Sequence, residues 1–366
     1  MMNINPAVEG LIHLVRSSFG IPQRNCQNLH IISDIYKLSL RQEVASLAFD
    51  GILNLSQLYP ESPTWLDKDF ISKDTKLQWL GCVITSENQY RQNLMAAKSL
   101  ADYFDNNGIM TYVLKGFSIS RLYPIPAHRF SCDLDCYLMS ENGEFDAFKK
   151  GNALIASKGI NVDKSYYKHS AFTINGLPVE NHQFCCSIKR GKRTKEMESY
   201  LRSLLNNYQP QYIEGTKLAL PPEMFQALFM IEHANGHFLY SKMNLKQICD
   251  WAILRKSFQE TLDWQEFNDQ CKKYGLKGFV ESMNHLADYI LGDCPYDNLT
   301  ALDKRVLDDM FIDVNLSSNK MKQRIEKAIG VLRSNWKFKY FCGDSMLKEL
   351  THSVWSYLTE INPELD

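Results

Sequence analysis

The chain has 366 residues, 45% of them hydrophobic and 23% charged, with a formal net charge of -1 at pH 7. That length holds two or three units of ordinary domain size and that apolar content builds substantial cores, which excludes disorder as the main state. A near-neutral balance excludes a global pull toward nucleic acid or an acidic membrane, so either would have to be met by a local patch.

The ten cysteines form no C-x-x-C pair, and the tightest groupings, Cys132/Cys136 and Cys185-Cys186, are poorly placed for structural disulfides. A reducing, cytoplasmic setting is expected. The start, MMNINPAVEGLIHLVRSSFG, lacks the basic segment, sustained apolar run and small-residue cleavage site of a secretory signal, and no later window reaches a bilayer-spanning length.

From Pro6 to about Leu100 apolar residues recur at helical spacing, as in Leu77, Leu80, Val83 and Ile84, which predicts an all-helical N-terminal region closed at Asn106-Asn107-Gly108. The pattern then changes. IMTYVLKG (109–116) is rich in β-branched and aromatic residues and ends on glycine, predicting a strand that feeds a turn. A short helix over Phe117 to Tyr123 precedes the breaks at Pro124 and Pro126, and a second strand is expected over 130–139.

Residues 143–158 read as a helix and INVDK (160–164) as a strand. HSAFTING and LPVENHQFCCSI then flank Asn175-Gly176, a strong hairpin signal. The basic run Lys189 to Lys195 is expected to be a solvated mobile loop in preference to a phosphate or nucleic-acid contact. Helical periodicity returns from about Pro221 to the end. The expected class is therefore α+β: a central mixed-sheet core, residues 96–215, between helical regions 1–95 and 216–366.

The segment RFSCDLDCYLM (129–139) sets Asp133 and Asp135 two positions apart, which on a pleated strand turns both to one side. Such a pair repels unless cations or donors lie between its members. A divalent metal supplies that compensation, with phosphate and water completing the shell. D-x-D alone also suits a solvated strand edge. Leu134, Cys136 and Leu138 alternate with the acids, however, so one face reads as buried and the other as polar. Glu180, in the second arm of the hairpin, is a candidate third ligand. The turn Leu114-Lys115-Gly116-Phe117-Ser118 passes from strand to helix and offers backbone N–H groups, the Lys115 ammonium and the Ser118 hydroxyl to phosphate.

Taken together, YVLKGFSISRLYPIPAHRFSCDLDCYLM (112–139) resembles the signature of the uncharacterised nucleotidyltransferase family of bacteria, a branch of the polymerase-beta-like superfamily. The matching features are Leu114-Lys115-Gly116, Tyr123-Pro124, Arg129 and Asp133-Leu134-Asp135, followed by Val179-Glu180-Asn181-His182 and, more thinly, by His233, His237 and Asp250-Trp251. The chain departs from the superfamily in having Lys115-Gly116-Phe117 where Gly-Ser is usual and Glu180 where the third acid is usually aspartate.

The resemblance implies a nucleotidyltransferase fold and transfer of a nucleoside monophosphate from an NTP, with pyrophosphate leaving. Asp133, Asp135 and Glu180 would hold two Mg2+ (or Mn2+) ions. Lys115, Gly116, Ser118, Arg129 and His182 would contact nucleotide or brace the acids. The acceptor, a small molecule, a protein or an RNA end, is not legible, and a non-catalytic, antitoxin-like relative that binds a protein partner is the alternative.

Two smaller expectations concern other candidate ligands. His233 and His237 share a helix face, but with no H-E-x-x-H they are expected to line the cleft or pack rather than bind zinc. Cys132, Cys136, Cys185 and Cys186 are read as small strand residues without chemistry.

Overall fold

The computed structural model describes residues 5–21, 28–58, 70–140, 147–312, 335–341 and 351. Four N-terminal helices come first: α1 (Pro6–Ser18), α2 (Ile32–Arg41), α3 (Ala45–Leu58) and the long α4 (Lys73–Asp105). Asn5 caps α1 by accepting from Ala7 N–H, with Pro6 already at helical φ, and Ser72 caps α4 through Thr75 N–H.

The central region contains β1 (Ile109–Val113), the one-turn α5 (Phe117–Ser120), β2 (Leu134–Ser140), α6 (Ala147–Ser157), β3 (His169–Ile174) and β4 (Leu177–His182). It closes with α7 (Lys192–Leu205), β5 (Gln211–Tyr212) and β6 (Leu218–Leu220). The C-terminal helices are α8 (Glu223–Tyr240), α9 (Leu245–Ser257), α10 (Trp264–Lys273), α11 (Lys277–Leu291), α12 (Ala301–Phe311) and α13 (Asn335–Phe341).

The six strands form one mixed sheet in the order β3-β4-β2-β1-β6-β5. β1 runs antiparallel to β2, β2 parallel to β4, and β3 antiparallel to β4 across Asn175-Gly176, whose φ values of 50° and 83° supply the two left-handed positions of a tight hairpin.

Strand alternation sorts the two faces. Leu134, Cys136, Leu138, Val179 and Phe172 join Ala97, Leu100 and Phe104 of α4 and Ile155 of α6 in one core. Tyr112, Leu114 and Ala219 face the other way, into the large core built by the N- and C-terminal helices. Asp135, Glu180 and His182 therefore point to the α8 side of the sheet.

Three expectations need correction. Residues 160–164 contribute an isolated bridge, Asp163 to Ala171, rather than a strand, because the Asp163 carboxylate accepts from Ser165 N–H and turns the chain. β2 begins at Leu134, so residues 130–133 approach the sheet without belonging to it. The basic run is ordered as a single helical turn at Ile188–Arg190 followed by the start of α7. Lys189 is buried near the Tyr167 ring, and the fully buried Glu198 pins α7 by accepting from Cys186 N–H at 2.8 Å and Arg202 Nε at 2.7 Å. The last strand of the sheet, β6, ends at Leu220.

Candidate active site

β1 delivers the chain to Lys115 and Gly116 beside the start of β2, because Leu114 N–H donates to Asp135 C=O at 3.0 Å and extends the ladder by one bond. Gly116 then turns sharply at φ 74°. A Cβ there would lie 3.1 Å from Ser131 Oγ and 3.5 Å from the Asp133 carbonyl, so the bend lies against the segment that leads into β2.

Lys115 Nζ lies 3.0 Å from Asp135 Oδ2 and 3.9 Å from Asp133 Oδ2. The two carboxylates differ in setting. Asp135 is 1% exposed and Asp133 29% exposed. Burial opposes the Asp135 charge, yet Lys115 and His182 hold its carboxyl well below the usual carboxylate range. Asp133 moves the other way: its own burial and the neighbouring Asp135 charge push it up. Burial pulls the Lys115 ammonium down, but the carboxylates outweigh burial and leave it above an ordinary lysine.

Glu180 is the register partner of Asp135 on β4, which brings the third acid beside the pair. His182, one strand repeat further, donates from Nδ1 to Phe184 C=O at 3.2 Å and sets Nε2 3.0 Å from Asp135 Oδ1. His169 faces it from β3, with Nδ1 3.3 Å from Glu180 Oε2.

A cavity of about 290 Å³ opens over Lys115, Gly116 and Asp133 and is closed on the far side by Phe229, His233 and His237 of α8. His233 Nε2 approaches Lys115 Nζ at 3.4 Å and His237 Nε2 at 3.1 Å. Burial, with Lys115 adding to it, holds both imidazoles below the ordinary histidine value, so they meet the cavity as neutral rings. Lys246 and Glu43, paired at 2.6 Å, also line it, so the N-terminal helical region contributes to its wall.

Of the expected contacts, Lys115, Gly116, Arg129 and Asp133 line the cavity, whereas Ser118, Asp135, Glu180 and His182 are not among its lining residues. Ser118 is fully buried in the one-turn helix and does not line the cavity; Ser131 does. Arg129 is at the cavity wall, and its Nε–Nη2 edge is spent on Asp250 of α9, Nε to Oδ1 and Nη2 to Oδ2 at 2.7 Å each. Through that edge it braces a helix. Residues that the sequence reading passed over are Ser131, Phe130, Lys246 and His169. The first three belong to loops and helices whose approach to the cavity no local pattern encodes. His169 was legible, because pairing outward from Asn175-Gly176 sets it opposite His182.

The donor set suits a divalent cation. Hard carboxylate oxygens from Asp133 and Asp135 flank one point, Lys115 occupies the position a cation takes between them, and Asp135 Oδ2 is buried with no hydrogen-bond partner beyond that ion pair. Among the described residues no helix is long and apolar enough to cross a membrane.

No curated protein matches the chain. A family model described as uncharacterised nucleotidyltransferase matches residues 32–292, which takes in the whole sheet, the acids, the glycine bend and the helices that close the cavity. With well over half of its length matched, the chain belongs to that uncharacterised nucleotidyltransferase family.

Proposed function

We propose that the protein is a metal-dependent nucleotidyltransferase that moves a nucleoside monophosphate from an NTP to an acceptor hydroxyl or phosphate and releases pyrophosphate. The observation that carries the reading is the register pairing of Asp135 with Glu180, together with Lys115, which lies between Asp135 and Asp133 and lines the cavity with Asp133.

Asp133 and Asp135 would hold Mg2+ or Mn2+, which when bound neutralises triphosphate charge and lowers the pKa of the acceptor hydroxyl. The remaining work belongs to the chain. Lys115, displaced from its two carboxylates, is placed to donate to the departing phosphates, and the glycine bend lets the backbone approach them closely. The acceptor oxygen bonds to the α-phosphorus as the bond to the bridging oxygen breaks, and the acceptor proton passes to Glu180, the most exposed of the three acids at 34%. Phe229 and Phe130 offer apolar surface for a base. Free thiols at Cys132, Cys136, Cys185 and Cys186 suit a reducing cytoplasm.

One observation favours a second reading. Lys115 lies within ion-pair reach of both aspartates and offsets their charge by itself, as suits a non-catalytic, partner-binding relative. Calorimetry with Mg2+ and a panel of NTPs separates the two. Metal-dependent NTP binding by the wild type, abolished together with at least about a thousandfold of transfer in the Asp133→Ala, Asp135→Ala double variant, is the expected result. Turnover that survives the double substitution rules out the assignment.

A further inference from the structure

His169, Glu180 and His182 form a second cluster beside the aspartate pair. One ligand atom from each, two imidazole nitrogens and one carboxylate oxygen, lies within 4.8 Å of the others. All three project from the same face of the β3–β4 hairpin, where His169 is the cross-strand partner of His182.

The ring nitrogens are set up for this. Phe184 C=O can only accept, so His182 Nδ1 carries a hydrogen and directs Nε2 toward Glu180 Oε2 at 3.6 Å and Asp135 Oδ1 at 3.0 Å, where Nε2–H donates to the ionised Asp135 until a metal displaces that proton. His169 Nδ1 is buried, makes no hydrogen bond, and lies 3.3 Å from Glu180 Oε2. An imidazole nitrogen left unsatisfied beside a carboxylate is costly unless a cation joins them. Aromatic rings shield the cluster: Tyr166 packs edge-on against His169 and Phe229 against His182.

From this arrangement we infer that His169, Glu180 and His182 bind a divalent transition metal such as Zn2+, Co2+ or Mn2+, at a nitrogen-containing site distinct from the oxygen-only pair Asp133 and Asp135. Two imidazoles and a carboxylate select borderline metals over Mg2+, which takes oxygen ligands and keeps its waters. Asp135 stands between the two positions, Oδ1 toward His182 and Oδ2 toward Lys115, and links them through one carboxylate. The site itself stands on the cluster; its part in the reaction as the second cation rests on the nucleotidyl-transfer reading.

The test uses the full chain and Co2+, whose visible absorption reports its ligands. Wild-type protein should bind Co2+ with ligand-field bands that Zn2+ displaces and that excess Mg2+ does not. His169→Ala should weaken Co2+ binding by more than about tenfold. His237→Ala, which removes the other close imidazole pair, should leave the bands intact. X-ray absorption of the Zn2+-loaded wild type should report two imidazole nitrogens at about 2.0 Å, and it needs no variant to fold. Bands absent from the wild type, unchanged in His169→Ala, or lost only in His237→Ala would overturn the inference. Mg2+–ATP calorimetry in parallel keeps the two readings apart: Co2+ bands without Mg2+–ATP binding would sink nucleotidyl transfer and leave this metal site standing.

Discussion

Arg129 and Asp250 are both buried, and each carboxylate oxygen receives one guanidinium N–H. Removing one partner leaves a buried charge unpaired, so Arg129→Ala is expected to cost about 3–5 kcal/mol in urea unfolding, while a loss under about 1 kcal/mol would show that water compensates. The same pair sets an acid limit. Burial opposes the Asp250 charge, but Arg129 and the Tyr123 hydroxyl, at 2.7 Å, outweigh it and hold the carboxyl below its ordinary value. A folded pKa depressed in this way adds stability that is fully present above the unfolded value, near 4, and is lost as pH falls through the folded value. Unfolding midpoints compared at pH 6 and pH 3 should fall with acid in the wild type and fall less in Asp250→Asn; parallel declines would remove the pair as a cause.

At the scale of elements, the hairpin β3–β4 shows how much one dipeptide decides. Asn175-Gly176 places both turn residues at positive φ, and counting outward from it pairs Ala171 with Glu180 and His169 with His182. Every polar residue of the second cluster is aligned by that register. A β-branched residue at Gly176 must hold φ near 83° against its own Cβ, so Gly176→Val should destabilise by about 1–2 kcal/mol and weaken Co2+ binding in the same protein. Unchanged stability would mean that the turn tolerates another conformation. The strand carrying the D-x-D motif was legible from its alternation, whereas the true start of β2 was not: residues 130–133 have strand-like composition but no neighbour to pair with. Conversely, the basic run before α7 looked solvated in sequence, and only the tertiary partners of Glu198 and Arg202 order it.

Across the whole molecule, two cores meet at one helix. α4 gives Trp79 and Val83 to the core of the terminal helices and Ala97, Leu100 and Phe104 to the core beneath the sheet. It runs from Lys73 to Asp105, and β5 and β6 lie on either side of residue 215. We propose the three-part division as one of labour, with the sheet holding the acids and the flanking helices closing the cavity. The cavity wall supports that division: Glu43 precedes α3, Lys115 and Asp133 come from the sheet region, and His233 and Asp250 come from α8 and α9.

By itself the sequence determined the class of fold, the strand bearing Asp135, the glycine bend before it and the hairpin beyond it, because each is written in a local period or a turn dipeptide. Which acids face one another, and that Arg129 is held by a helix 121 residues away, were decided only by tertiary structure. Those contacts join segments whose order in the sheet and whose packing against α8 and α9 come from burying apolar faces together. That energy depends on the assembled surface and leaves no mark at any single position.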